Sequence, residues 1–312
     1  MRRASVLAVL LAAGSLSLAV AAFQQPAGGA GQAPAPMVVE VEKLKDNLFM
    51  LKGGGGNTAV FVASTGVVVV DTKNPGWGQP ILDKIKGLTD KPVTTIINTH
   101  THGDHVSGNV QFPATVDVIV QENTKTNMEK MAAPTGTAPA PTPTNIFTAN
   151  NGRGMAKRTF KDRMSLGKGN DQIDLYYFGR GHTNGDAWVV FPALRTMHAG
   201  DIFLGKRHPF LDANNGGSGV ALPETLARAL IGIKNVDTII TGHSTLMTMN
   251  DLKEYADFNR DFLLAVREGK KAGKSVDDIA TSWKIPAKYA GYPTPEAAAL
   301  KSNVQMIFDE LK

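Results

Sequence analysis

The sequence predicts an α/β fold in which a cluster of histidines follows one of the buried strands. Short β-branched, apolar runs and amphipathic helical stretches follow one another in a loose two-fold rhythm of strands and then helices. The run Val93–Asn98 is one such strand, and the motif HTHGDH at positions 100–105 follows it. In α/β sheets, ligand sites lie at the carboxyl ends of strands.

Local patterns predict the individual elements. We expect strands at Val38–Val41, Leu48–Leu51, Thr58–Ala63, Val67–Val70, Val93–Asn98, Asp117–Val120, Ile173–Phe178, Ala187–Phe191, Thr196–His198 and Val236–Thr241. We expect helices at Gln79–Leu88, Glu122–Met131, Pro223–Asn235, Asp251–Glu268, Ser275–Trp283 and Glu296–Leu311. The four glycines Gly53–Gly56 indicate a tight turn rather than a phosphate loop, because no Gly-Lys-Ser/Thr follows them.

Four ligand-type side chains within six residues indicate a divalent metal rather than a polar loop with chance histidines. Three of the chain's seven histidines lie here. Imidazole and carboxylate are the ligands that Zn²⁺ takes when no thiolate is offered, and the chain has no cysteine. In an extended turn, side chains at i and i+2 project to the same side. His100 and His102 can therefore hold one metal, while Asp104 and His105 turn towards a neighbouring one.

Three more predicted strands end in a glycine followed by a ligand-type side chain. These side chains are His182 in Gly-His-Thr, Asp201 in Gly-Asp and His243 in Gly-His. A glycine lets the backbone approach a site closely. One such coincidence would be weak evidence, but three that follow the histidine cluster in order are strong.

The order HxHxDH, GHT, GD and GH resembles the metallo-β-lactamase-fold hydrolase superfamily over Val38 to Thr248, and Asn57 and Asp71 also match its pattern. The resemblance implies a four-layer αββα sandwich with two Zn²⁺ ions at one edge, between the sheets. The implied ligands are His100, His102 and His182 for the first metal, Asp104, His105 and His243 for the second, and Asp201 as the bridge.

This ligand set is similar to that of the glyoxalase II, lactonase and phosphodiesterase branches, because β-lactamases of this fold usually have cysteine or serine at the position of Asp201. It implies a hydrolase in which a metal-bridging hydroxide attacks a small ester, lactone, thioester or amide, with Asp104 as a catalytic residue that orients the nucleophile. The Asp-His-His second site is also similar to that of one β-lactamase subclass. Two alternatives therefore stay open: a β-lactamase, and a non-hydrolytic iron-dependent redox or persulfide enzyme.

Ligating histidines need hydrogen-bond acceptors that set their tautomers. Asp71 and Asn98 are candidates for this role, although Asp71 could equally be a turn residue at a strand end. Thr183 is a candidate to brace the loop of His182. We expect His198, inside a strand, to be packed near the site rather than to bind metal.

The candidates for substrate binding lie on two loops. An aromatic ring over the mouth of the site, or cationic groups facing a substrate carboxylate or phosphate, would serve this purpose. The alternatives are ordinary packing and a solvated basic loop. The candidates are Trp77, Lys206, Arg207 and His208.

The N-terminus predicts export. Residues 1–22 combine Arg2 and Arg3, an apolar stretch and small residues at a cleavage site, as in a secretory signal. We expect a disordered linker at 23–36 and one metallo-β-lactamase-like domain at 37–312, in the periplasm or outside the cell. Signal removal lowers the net charge from +5 to +3, and a chain this mildly basic gives no reason to expect a nucleic-acid partner, or a membrane partner after signal cleavage. We expect a small-molecule substrate. The Pro/Thr-rich segment Ala132–Asn145 predicts a mobile surface loop without ligands, which is either a lid over the site or an idle insertion. The oligomeric state stays open.

Overall fold

Two β-sheets form the centre of the molecule. The computed structural model describes residues 37–136 and 145–312. The first sheet contains, in spatial order, β1 (Glu40–Lys45), β2 (Leu48–Lys52), β3 (Thr58–Val62), β4 (Val67–Val70), β5 (Val93–Ile97), β6 (Asp117–Gln121) and β7 (Arg158–Phe160). Strands β1 to β4 pair antiparallel, and β4 to β7 pair parallel.

The second sheet has the order β12, β11, β10, β9, β8. Its strands are β8 (Arg163–Leu166), β9 (Ile173–Tyr176), β10 (Trp188–Phe191), β11 (Thr196–Gly200) and β12 (Thr238–Thr241). Only β11 and β12 pair parallel in this sheet. The helices are α1 (Gly78–Lys86), α2 (Gly103–Val106), α3 (Glu122–Lys130), α4 (Ile146–Ala149), α5 (Leu222–Gly232), α6 (Met249–Lys271), α7 (Val276–Ser282) and α8 (Ala297–Glu310).

Side-chain alternation along the strands builds four layers. In β4, Val67 and Val69 belong to a core shared with α1 and α3, whereas Val68 and Val70 belong to the core between the sheets. The other face of the second sheet, which includes Trp188 of β10, packs against α5 to α8. Both faces of each sheet are thus buried, which explains the continuous valine run of β4. The predicted α/β fold, a four-layer αββα sandwich, is confirmed.

The predicted elements are present, and their bounds shift by a few residues. The first strand was predicted too early, because β1 begins at Glu40. Two strands were not predicted: β7 pairs with β6 in the first sheet, and β8 pairs with β9 in the second. Both are short, and each begins with an exposed arginine, so neither shows an apolar run. They lie where the chain passes from one sheet to the other.

Three predicted segments lie outside the described residues. These are the signal at 1–22, the linker at 23–36 and residues 137–144 of the Pro/Thr-rich segment. None of the helices in the described ranges combines the length and the apolar composition that crossing a membrane requires.

Candidate metal centre

The candidate ligands meet at the edge where β4 and β5 of one sheet face β11 and β12 of the other. His100 and His102 lie on the turn after β5, and Asp104 and His105 lie on the short helix α2. The other three follow strands of the second sheet. His182 lies on the loop after β9, Asp201 follows β11, and His243 follows β12. The structure thus brings together all seven residues that the sequence predicted as ligands.

The first group contains His100, His102, His182 and Asp201. Their candidate ligand atoms all lie within 4.8 Å of one another, and all four residues are buried. The inner nitrogens of His102 (Nδ1) and His182 (Nε2) are 3.1 Å apart. The ring centroid of His100 lies 4.7 Å from the ring centroid of His102 and 4.7 Å from that of His182. The three rings therefore form a triangle around one point.

The outer nitrogens of these rings show that the inner ones carry lone pairs. Nε2–H of His102 donates to the Asp212 carboxylate over 2.7 Å, and Nδ1–H of His182 donates to the carbonyl of Phe210 over 2.7 Å. Nδ1–H of His100 donates to Thr99 Oγ1, because that hydroxyl already donates to Asp71. Nε2 of His100 is buried without a hydrogen-bond partner. Converging lone pairs repel one another unless a cation lies between them, so these residues fit a metal ion.

The second group contains Asp104, His105 and His243. His243 Nε2 lies 3.1 Å from Asp104 Oδ2 and 3.3 Å from His105 Nε2. Nδ1–H of His105 donates to Asp71 over 2.7 Å, which leaves Nε2 to face the group. The side chain of His243 is 32% exposed and that of Asp104 is 15% exposed. Solvent therefore reaches the centre from the side of these two residues.

Asp201 lies between the two groups. Its Oδ2 is 3.9 Å from His100 Nε2, 3.8 Å from His182 Nε2 and 3.3 Å from His243 Nε2. Its Oδ1 is 3.3 Å from His105 Nε2 and has no hydrogen-bond partner, although it is buried. One carboxylate thus faces both groups, as a bridging ligand would.

Burial lowers the pKa of some histidines of the site, whereas neighbouring carboxylates raise the pKa of others. Burial lowers the pKa of His182 to about 4 and holds that of His100 well below its usual range. The negative charge of Asp201 raises the pKa of His243 to about 9, against the effect of burial. Burial also opposes protonation of His105, but Asp201, Asp104 and Asp71 outweigh it and raise the pKa of His105. A metal ion would compete with these protons, so its affinity should rise with pH.

Two glycines allow the backbone to approach the ligands. A Cβ on Gly242 would lie 1.7 Å from Asp201 Oδ1, and a Cβ on Gly56 would lie 2.3 Å from the His105 ring. Only glycine fits at such distances. The turn that contains Gly56 is held by Lys73, whose buried ammonium donates to the carbonyls of Leu51 and Gly56. The four-glycine turn therefore packs against His105 of the second group.

The structure gives different hydrogen-bonding roles to the polar residues that the sequence placed near the ligands. Asp71 is an acceptor for His105, as expected, and it also accepts hydrogen bonds from Thr99 N and Oγ1. Asn98 donates to the His105 carbonyl rather than to a ring, so it braces backbone and sets no tautomer. His198 Nε2–H donates to Asn57 O, while its Nδ1 accepts from Gly200 N, so both ring nitrogens are used away from the ligands.

Thr183 braces the loop of His182 through Asp186. The amide and the hydroxyl of Thr183 both donate to the Asp186 carboxylate, with the hydroxyl at 2.6 Å. Burial raises the pKa of Asp186 to about 6, against the effect of these hydrogen bonds.

Sequence reasoning missed Asp212, the acceptor for His102. Its side chain is buried, and burial opposes ionisation, but His102, Asn215 and Thr135 together lower its pKa below the usual range. Asp212 lies 110 residues from His102 in the chain. No spacing rule links them, and the local pattern Asp-Ala-Asn-Asn indicates only a turn.

Two of the candidates for substrate binding are corrected by the structure. His208 lies among the rings of Phe258, Phe262 and Trp283, and its Nδ1 accepts a hydrogen bond from Asn303. Burial lowers the pKa of His208 to about 4. This side chain is therefore part of the core beneath the C-terminal helices. Lys206 forms ion pairs with Asp251 and Glu254 of α6, which occupy its ammonium group.

The other two candidates stay predictions. Arg207 is exposed. The Trp77 ring packs so closely over Gly54 that a Cβ there would lie 2.0 Å from it. A Cβ on the next residue, Gly55, would lie 2.7 Å from the backbone oxygen of Asp104. Trp77 therefore packs against Gly54 of the glycine turn, and the next residues of this turn lie beside Asp104 and His105.

Comparisons with known proteins agree with this geometry. A family model for the metallo-beta-lactamase superfamily matches residues 51–243. A type 2 metallo-beta-lactamase from Elizabethkingia meningoseptica is 30% identical over 179 residues, which cover 53% of this chain and 62% of that protein. The alpha subunit of a 2,4-dinitroanisole O-demethylase from a Nocardioides species is 23% identical over 77% of this chain and 68% of its own length.

Solved structures share the fold at low identity. A metallo-beta-lactamase from Pontibacter korlensis superposes with a TM-score of 0.57 at 18% identity, over 72% of this chain and 99% of that one. An inverting sec-alkylsulfatase from a Pseudomonas species gives a TM-score of 0.65 at 14% identity, over 88% of this chain and 50% of that one. The match of the family model spans more than half of the chain and includes all seven candidate ligands. This chain belongs to the metallo-beta-lactamase superfamily, whose members are mostly metal-dependent hydrolases.

Proposed function

We propose that this protein is a binuclear zinc hydrolase that acts on a small ester, lactone, thioester or amide. The observation that carries the proposal is the convergence of four imidazoles whose outer nitrogens are already hydrogen-bonded. His100, His102 and His182 would hold one ion, Asp104, His105 and His243 the other, and Asp201 would lie between both. Nitrogen and carboxylate donors without thiolate suit zinc.

The parts of the centre would have different roles in hydrolysis. Bound zinc supplies Lewis acidity, which lowers the pKa of water from about 15.7 to about 7 and polarises the electrophilic oxygen. Asp104, on the solvent side, would accept a hydrogen bond from the attacking water and orient it. The buried side of the centre excludes bulk water, so substrate would enter past Asp104 and His243.

A β-lactamase is the second candidate function, and the Elizabethkingia relative favours it. Asp201 argues against it, because β-lactamases that resemble this ligand set usually have cysteine or serine there. The names of the O-demethylase and of the sec-alkylsulfatase point to substrates with an alkyl group on oxygen. We therefore include an aryl methyl ether and a sulfate ester among the substrates to be tested.

We further propose that the protein acts in the periplasm or outside the cell on a small molecule. Arg2, Arg3 and the apolar stretch after them support export, and the mildly basic composition supports neither a nucleic-acid nor a membrane partner. Cell fractionation tests where the protein is located, and mass spectrometry of its N-terminal peptide tests whether the signal has been removed.

Native mass spectrometry and elemental analysis test the metal proposal. We expect about two zinc equivalents per mature chain after expression in balanced metals. The control variant is His208→Gln, which removes a buried histidine outside the centre and should keep both ions. One equivalent of iron would overturn the zinc-hydrolase proposal and favour redox or persulfide chemistry.

Steady-state kinetics on a substrate panel test the reaction. The panel contains lactone, thioester, ester, sulfate ester, aryl methyl ether and nitrocefin. We expect the highest kcat/KM on an acyl substrate. Efficiency on nitrocefin of about 10⁴ M⁻¹s⁻¹ or more, within the usual range for enzymes, would instead identify a β-lactamase.

A further inference from the structure

The first residues of the Pro/Thr-rich segment are docked onto the loop that supports the metal centre. The amide and the hydroxyl of Thr135 both donate to Asp212 Oδ1 over 2.9 Å. Asn214 Nδ2 donates to Ala133 O over 2.9 Å, and Asn215 Nδ2 donates to Ala132 O over 3.2 Å. Residues 132–136 therefore have hydrogen-bond partners on this loop, and the mobility of the segment stays a prediction.

The same carboxylate holds a ligand of the centre with its other oxygen. Asp212 Oδ2 accepts from His102 Nε2 over 2.7 Å and from Asn215 Nδ2 over 2.6 Å. The Asp212 side chain is fully buried, so water cannot replace a lost donor easily. Because the two oxygens belong to one rigid group, donors on Oδ1 fix the direction in which Oδ2 points. Oδ1 accepts three hydrogen bonds, two from Thr135 and one from the amide of Asn214 over 3.1 Å, so the orientation of the His102 ring depends on Thr135 together with Asn214.

We propose that Thr135 is a positioning residue for the first metal, and that docking of residues 132–136 is coupled to metal binding. The proposal rests on the proposed zinc site. Coupling of this kind is reciprocal: if docking raises the affinity for zinc, zinc must stabilise docking by the same factor. Hydrogen-bond partners of ligating histidines usually change metal affinity by about 10–100-fold. Thr135 acts one step further out, so we expect roughly a three- to tenfold effect.

The first test measures zinc affinity by competition with a chromophoric chelator. Thr135→Val removes the hydroxyl donor and keeps the shape, whereas Thr135→Ser keeps the donor. Thr281→Val is the matched control, because the Thr281 hydroxyl bonds only within α7. We expect Thr135→Val to weaken one zinc equivalent three- to tenfold, and the other two variants to stay within twofold of wild type. Unchanged affinity in Thr135→Val would overturn the proposal.

The second test needs no variant. Hydrogen exchange of the wild-type protein is followed by mass spectrometry, with zinc bound and after its removal by a chelator. We expect the peptide that contains residues 132–136 to exchange at least threefold faster without zinc. Equal exchange in both states overturns the coupling. A wild-type protein that binds no zinc at all would instead overturn the proposed function, so the two failures are distinguishable.

Discussion

Asp71→Asn is the sharpest test of how the protein tunes its second metal group. Asp71 Oδ1 accepts from Thr99 N, and Oδ2 accepts from Thr99 Oγ1 and His105 Nδ1, all within 2.8 Å. Asparagine has the same shape but replaces one acceptor oxygen with an NH₂ donor. Asp71 also has a φ of 62°, a conformation that asparagine tolerates and alanine does not. The variant therefore changes hydrogen bonding without straining the backbone.

The magnitude follows from where the amide nitrogen must point. In the Oδ1 position it meets the Thr99 amide, and a buried unpaired donor costs about 1–3 kcal/mol. In the Oδ2 position it favours the other tautomer of His105, with the proton on Nε2, where a metal should bind. Either arrangement weakens the support of His105. We expect the second zinc equivalent to bind about 10–100-fold more weakly, and the first to weaken less, through the Thr99 hydroxyl that links Asp71 to His100.

Zinc titration against a chelator of known affinity resolves the two equivalents, and a thermal melt of the metal-free protein reports folding. The matched control is Asp174→Asn, another buried carboxylate with several hydrogen bonds, which lies on β9 away from the ligands. It should lose stability and keep both affinities. An Asp71→Asn protein that binds both ions within threefold of wild type would refute this reasoning.

Four further outcomes follow from the same geometry. Asp104→Ala should lower kcat by about 10²–10⁴ with a modest fall in the thermal midpoint, because the buried histidines still hold the first ion; near-normal turnover would place Asp104 outside the reacting centre. Asp201→Ser should lower activity on esters and lactones and raise the ratio of nitrocefin to ester turnover; an unchanged ratio would contradict the role of Asp201 in substrate choice. Burial lowers the pKa of Lys73 to about 7, so the unfolded chain binds more protons between pH 7 and about 10.5. The free energy of unfolding should therefore rise with pH in that window by up to about 1.4 kcal/mol per unit, and chemical denaturation of Lys73→Met should show a flatter rise. Replacing residues 137–144, which contain no ligand-type side chain, with a short Gly/Ser link should keep two zinc ions, and loss of zinc by elemental analysis would show that this stretch is structural.

The sequence determined all seven candidate ligands because each piece of the set is local. His100, His102, Asp104 and His105 lie within six residues, and their pattern needs only the end of a strand to make sense. His182, Asp201 and His243 each follow a glycine at a strand end, so the local sequence marks each of them. The strands themselves are short β-branched runs, which are legible because both faces of the sheets are buried.

Only the tertiary structure decided which groups support these ligands. Asp212 meets His102 across 110 residues, and Thr135 meets Asp212 across 77. A hydrogen bond between residues so far apart leaves no local trace, because neither partner needs a special neighbour in the chain. The sequence likewise places Lys206 and His208 on a loop without indicating their partners. In the structure, carboxylates of α6 form ion pairs with Lys206, and aromatic residues pack against His208. Ligand types are a property of short motifs, whereas orientation is a property of contacts that exist only once both sheets are in place.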